Sequence, residues 1–244
     1  MQFTSSWDDG HPLDLRLAEL LNRHGFKGTF YVPLNNDRFS LPVLSAAGLR
    51  ELDTVCEIGS HTLDHCYLTE VNTDTARQQI HDGRTALEGI VGHAVRGFCY
   101  PGGKYRQEHR ALVESEGFAH ARTTVNLEFD GAFEDFERPT TLQFYPHSRA
   151  VYMRNWMRYG RWRKRLPMAL KALESSDFLS LMKASLLYAQ ERDGVFHLWG
   201  HSWELESFRG WGLLDEFLAF AADHVPPQER VTNAGVKATS VVLN

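Results

Sequence analysis

Residues 3–33 read FTSSWDDGHPLDLRLAELLNRHGFKGTFYVP, and the alternation within them decides the fold. Residues 3–7 are a short strand candidate. Leu13, Leu17, Leu20 and Leu21 then recur at i, i+4, i+7 and i+8, one face of a helix. Pro12 suits the first turn of that helix, and Gly25 suits its C-terminal cap. Residues 28–33 are aromatic and β-branched, which predicts a second strand.

The pattern continues along the chain. A short helix is expected over 45–52 and a strand over 56–59. A longer helix follows at 75–91, with Ile80, Leu87 and Val91 at helical spacing and Gly92 behind them. Strands are expected at 98–100 and 119–122, with a helix at 105–116 between them. Residues 130–167 show no clear period. A helix returns at 177–192, where Phe178, Leu181, Ser185 and Tyr188 share a face. VFHLWGH at 195–201 reads as a buried strand, and a last helix over 211–224 stops at Pro226-Pro227. Strands alternating with helices imply a parallel sheet with helices outside it. The expected architecture is a single α/β domain spanning residues 1–244, closed as a TIM-like (β/α) barrel.

Composition excludes several classes. The chain has 244 residues, 43% hydrophobic and 23% charged, which rules out wholesale disorder. No apolar run approaches the ~18 residues of a membrane-spanning helix. The N-terminus has no basic lead and no long apolar region, so a cytoplasmic location is expected. Cys56, Cys66 and Cys99 lie far apart and are odd in number, which suits free thiols better than disulfides. The net charge is -5, unfavourable for nucleic acid. Nine of the 26 Lys and Arg residues nonetheless fall between Arg138 and Lys171, a stretch without Asp or Glu.

In parallel α/β folds, chemistry gathers at the carboxyl ends of the strands. There this sequence places Trp7-Asp8-Asp9-Gly10-His11, then His61-Thr62-Leu63-Asp64-His65, Tyr100-Pro101-Gly102-Gly103, and Gly200-His201-Ser202-Trp203. His61 and His65 at i, i+4 would share one face of a helical turn and bind one metal. On its own this spacing also fits two surface histidines. A carboxylate at Asp8 or Asp9 would complete a His-His-Asp set with an open position for water. Adjacent buried aspartates repel unless a cation lies near. Taken alone, Asp8-Asp9-Gly10 also fits an ordinary turn.

Ser5-Ser6-Trp7-Asp8-Asp9-Gly10 resembles the TFDDG motif of the polysaccharide deacetylases, the NodB-like carbohydrate esterase family 4. His61-Thr62-Leu63-Asp64-His65 is similar to that family's H[ST]xxH motif, and Leu198-Trp199-Gly200-His201 to its late LxxH motif. The resemblance spans residues 5–201. It implies a distorted (β/α) barrel and metal-assisted removal of acetyl from an N-acetylated sugar. It implies a divalent metal, Zn2+ above others, on Asp9, His61 and His65. Asp8 would be the general base and His201 the general acid. The third motif departs from the family's RxPYG. Cys99 stands in place of its Arg, and Gly102 in place of its Tyr, whose backbone N–H serves the oxyanion. Gly102 would still offer that N–H. Arg122 is the expected substitute for the missing Arg, with Arg96 and Arg138 as alternatives. Glu204 and Asp130 are candidate partners for His201.

Three further expectations complete the reading. Trp7, Tyr100, Trp199 and Trp203 flank the site as sugar-stacking faces or as ordinary core. His147 either lines the pocket or sits on a surface loop. The basic residues Arg154, Arg158, Arg161, Arg163, Lys164 and Arg165, interleaved with aromatics, dock a phosphate-linked sugar or an anionic surface, or form a solvated face. Two other functions stay open: a cytosolic hydrolase of a small cyclic or linear amide, and an iron(II) oxygenase using the same two His and one carboxylate. A glycan-binding relative without activity would be expected to lack Asp8, Asp9, His61, His65 or His201, and all five are present.

Overall fold

The structure, a computed structural model, describes residues 1–237. Strand β1 (Gln2–Asp8) lies in the interior of its sheet. Phe3 and Trp7 on it are buried. It pairs in parallel with β2 (Gly28–Val32) and with the late strand β7 (Val195–Gly200). Beyond β2 lie β3 (Glu57–Ser60), β4 (Gly97–Cys99) and β5 (His120–Arg122), and beyond β7 lies β6 (Leu142–Gln143). All the strand pairs are parallel. Strands buried on both faces require the apolar, β-branched and aromatic residues that the sequence supplies there.

Residues 138–144 close the ring. The Arg138 N–H donates to the Ala121 carbonyl of β5, while the Thr141 and Phe144 N–H groups donate to the His197 and Trp199 carbonyls of β7. One short segment therefore hydrogen-bonds both edges of the sheet. The result is the expected α/β barrel, in distorted form, with seven strands among the described residues.

The first four helices follow the apolar periodicity. They are α1 (Asp14–Arg23), α2 (Ala46–Asp53), α3 (Thr73–Val91) and α4 (Gln107–Ser115). α1 buries Leu17, Ala18, Leu20 and Leu21 and begins after Pro12 rather than around it. α3 starts where the Asn72 side chain accepts the Thr75 N–H at 2.8 Å, and ends at Gly92 in the left-handed region. Burying each large apolar side chain in such a face contributes roughly 1.5–3 kcal/mol.

The second half departs from expectation. Residues 130–167, read as irregular, contain α5 (Arg149–Arg158) and the first part of α6 (Trp162–Glu174). α5 buries only Tyr152, and α6 carries in its interior Pro167, a residue that ordinarily ends a helix. α7 (Phe178–Glu191) and α9 (Trp211–His224) lie where periodicity put them, and the short α8 (Ser202–Ser207) was not expected.

Candidate active site

The strand topology brings Asp8, His61, Cys99, Arg122 and His201 to one edge, the carboxyl ends of β1, β3, β4, β5 and β7. Asp9 follows β1 with φ 79°, a left-handed conformation uncommon outside glycine and typical of functional positions. Its N–H donates to the Tyr31 carbonyl, which fixes the turn.

His61 and His65 are brought together, but by a loop and not by a helical turn. Thr62 and His65 have positive φ, which breaks any helix. The loop is held instead by its own hydroxyl and by α3. Thr62 Oγ1 accepts the Cys66 N–H at 2.9 Å, and the Leu63 N–H donates to the Gln79 carbonyl. α3 can approach this closely because position 83 is glycine. A Cβ there would sit 2.7 Å from the Thr62 carbonyl carbon.

Asp9, His61 and His65 present donor atoms within 4.8 Å of one another, all from buried residues. Asp9 Oδ1 lies 3.1 Å from His65 Nε2 and 3.9 Å from His61 Nε2, yet has no hydrogen-bond partner. An orphaned buried carboxylate oxygen facing two imidazoles is what a cation would relieve. The His61 Nδ1–H donates to the Cys99 carbonyl at 2.8 Å, leaving Nε2 with its lone pair toward Asp9. Burial pushes His61 down to about 4, so it is neutral, the form that ligates. Burial alone would raise Asp9, but the surrounding His65, His201 and His61 rings draw it below the usual carboxylate range. Trp203 Nε1–H donates to Asp9 Oδ2 at 3.0 Å and orients the carboxylate. The donor set therefore fits a divalent ion.

Two charged pairs flank this set. Asp8 is ion-paired with the fully buried Arg122 guanidinium. Burial works against the charge of Arg122, but Asp8 more than restores it. Arg122 thus occupies the place expected for it beside Asp8. Arg96 is exposed, and Arg138 is engaged with the Asn233 carbonyl and Asp135. Cys99 Sγ is 3.8 Å from Asp8 Oδ2, and burial pushes its thiol up, so it stays protonated.

On the opposite flank, His201 Nδ1–H donates to Glu204 Oε2 at 2.7 Å. Burial would lower this imidazole, but the Glu204 hydrogen bond and the Asp9, Glu204 and Asp8 charges hold it at about 9. His201 is therefore a cation at neutral pH. Of its two candidate partners, Glu204 is the one present, while Asp130 pairs with Lys164. Gln143 Nε2–H donates to Glu204 Oε2 at 3.0 Å, and His147 Nε2–H donates to Gln143 Oε1 at 2.9 Å. No local pattern marked Gln143, because its role depends on the closing segment.

A cleft of about 410 Å³ opens over the site. That is room for a small ligand. Asp8, Asp9, His61, His65, His201 and Gly102 all line it. Trp199, Trp203 and His147 also line the cleft, as expected. Trp7 and Tyr100 do not. Both are fully buried, with Trp7 Nε1–H donating to Ser5 Oγ and Tyr100 stacked on Tyr105 at 4.3 Å. Phe39, Tyr67, Thr124 and Asn126 join the lining without any sequence signal.

The basic segment divides. Arg154 and Arg158 line the cleft. Arg161, Arg163, Lys164 and Arg165 do not, contrary to their expected shared role. Arg161 pairs with buried Glu128 at 3.4 Å and Lys164 with Asp130. Arg165 is fully buried and donates to the Asn126, Asn155, Trp156 and Gly160 carbonyls, so it ties α5 to α6.

A His-His-carboxylate donor set between an ion-paired carboxylate and a cationic imidazole, on a parallel α/β barrel, is suited to hydrolysis. The polysaccharide deacetylase family model matches residues 3–121, just under half of the chain. Similar solved structures share the fold. A Mycobacterium smegmatis protein assigned as a polysaccharide deacetylase is 18% identical, with TM-score 0.59 over 90% of this chain and 83% of that one. A family 4 carbohydrate esterase from Streptomyces lividans, solved with acetate, is 13% identical, with TM-score 0.54 over 91% and 89%. A family 4 pseudoenzyme from Bacillus anthracis is 14% identical, with TM-score 0.54 over 89% and 59%. This chain spans only about half the length of two further deacetylases, 54% and 46%. No curated protein matches it. No helix among the described residues is long and apolar enough to cross a membrane.

Proposed function

We propose that this protein is a metal-dependent hydrolase that removes acetyl from the nitrogen of an N-acetylated sugar. The observation that carries this reading is the placement of Asp8–Arg122 and His201–Glu204 on either side of the Asp9, His61 and His65 donor set. Both members of an acid–base pair are held by a partner of opposite charge.

Asp9, His61 and His65 would hold the ion, and two imidazoles with one carboxylate favour zinc. A divalent ion held there supplies Lewis acidity to the acyl oxygen and acidifies water. The chain's own residues do the rest. Asp8, fixed by Arg122, takes the proton from the attacking water. The Gly102 N–H donates to the oxygen that gains charge as the acyl carbon becomes tetrahedral. His201, already cationic, donates its Nε2 proton to the sugar nitrogen as the C–N bond breaks, giving acetate and an amine. Trp199 and Trp203 offer ring faces for the sugar. The three free cysteines suit a reducing, cytoplasmic setting.

The neighbouring pseudoenzyme shows that the barrel alone does not guarantee activity. The test is acetate release by zinc-loaded protein from N-acetylchitooligosaccharides, with small cyclic and linear amides in parallel. Acetate from the sugars supports the reading. Turnover of the amides alone would move the substrate class, and oxygen uptake with iron(II) would replace hydrolysis by oxygenation.

A further inference from the structure

The hairpin of α5 and α6 has an outer face that the catalytic reading does not use. Trp162, Leu166 and Leu170 recur at i, i+4 and i+8 on α6, so they share one face. They are 58%, 38% and 44% exposed. Met157, at the end of α5, is also exposed, and the Trp162 Nε1–H donates to its carbonyl at 3.1 Å, which joins it to the stripe. Exposed Trp and Leu in register on one helix are unusual for a solvated surface.

The charge around the stripe points to its occupant. Arg154, Arg158 and Arg163 are exposed and have no ion pair among the described residues. No Asp or Glu interrupts residues 138–171, and Glu174 stands only at the last position of α6. An apolar stripe with Trp and Leu, bordered by unpaired arginines, matches the chemistry of a helix lying in an anionic lipid interface. A second copy of the chain fits worse, because a two-fold contact through this face would set the same guanidinium groups against each other.

We propose that the α5–α6 hairpin docks on an anionic phospholipid surface. Trp162, Leu166 and Leu170 enter the headgroup layer, and Arg158 and Arg163 meet lipid phosphates. α5 also lines the cleft through Arg154, Asn155, Arg158 and Tyr159, so docking brings the mouth of the cleft to the lipid surface. An acetylated sugar carried on a lipid phosphate would then meet the site in two dimensions.

The test is co-sedimentation of the zinc-loaded full chain with phosphatidylcholine vesicles, with and without phosphatidylglycerol. The wild type should bind only the anionic vesicles, less at high salt. Arg163→Glu should weaken binding ~5-fold or more, and Leu166→Ser with Leu170→Ser by at least as much. Both variants change exposed residues outside the cleft, so acetate release from a soluble sugar should match wild type. Equal binding to neutral and anionic vesicles, or unchanged binding by both variants, would overturn the proposal. So would a wild-type dimer that the double leucine variant dissociates without any vesicle binding. Sedimentation needs no turnover, so its outcome is separate from that of the deacetylase reading.

Discussion

The barrel has two unlike halves. From β1 to β5, strands and helices alternate one for one, and this half supplies Asp8, Asp9, His61, His65, Gly102 and Arg122. From residue 123 to α8, two strands are separated by three helices, and this half supplies His201, Glu204, Gln143 and the wall formed by α5. In the proposed mechanism the regular half holds the groups that a metal and a water need at fixed positions, and the irregular half holds the acid and lines the cleft. Regular βα units place carboxyl-end residues with little freedom, whereas a long insertion is free to vary the wall.

If the regular half carries the metal, its loss is the largest effect. His61→Ala should abolish stoichiometric zinc and lower turnover ~10³-fold or more. Metal content by emission spectrometry beside acetate release checks both. A variant that keeps full metal would break the division between the halves.

Acid stability separates the halves from the chemistry. His120 on β5 is pushed down to about 3 by burial and by the Arg138 charge, and burial pushes His197 on β7 down as well. Their unfolded value is ~6.5, so the unfolded chain binds their protons first as pH falls. The stability they contribute is complete above ~6.5 and is lost as pH drops toward about 3. His120→Gln should flatten that decline by on the order of a few kcal/mol in urea titrations, with unchanged stability slope above pH ~7.

Glu204→Gln sharpens the role of the second half. Without the carboxylate, His201 should lose its proton nearer ~6.5 than about 9. The alkaline limb of kcat/KM should move to lower pH, with ~10-fold loss of kcat at mildly alkaline pH. An unmoved limb would assign the proton donor elsewhere. Arg154→Ala is the smallest change. It should raise KM ~3-fold for an acetylated sugar with a phosphate group and leave kcat near wild type, because the contact is remote from the bond broken.

The same division governs what the sequence reveals. Leu13, Leu17, Leu20 and Leu21 announce α1 because that face packs on the barrel, and Asp8-Asp9-Gly10 with His61 and His65 announces the donor set. The HxxxH spacing reads as a helical turn, whereas Thr62 and His65 sit at positive φ, a conformation that spacing cannot express. α5 hides because it buries only Tyr152, α6 because Pro167 lies in its interior, and the buried Arg165 that joins them reads as surface charge. Gln143 reaches Glu204 only because residues 138–144 close the barrel, which is a tertiary event with no local signature.

The central claim is that Asp8 acts as the base beside a donor set that binds metal without it. Asp8→Asn, loaded with zinc and assayed for acetate release from an N-acetylated sugar, tests this most directly. The account predicts metal content equal to wild type and turnover lower by ~10²-fold or more. Turnover near wild type at equal metal content would contradict it.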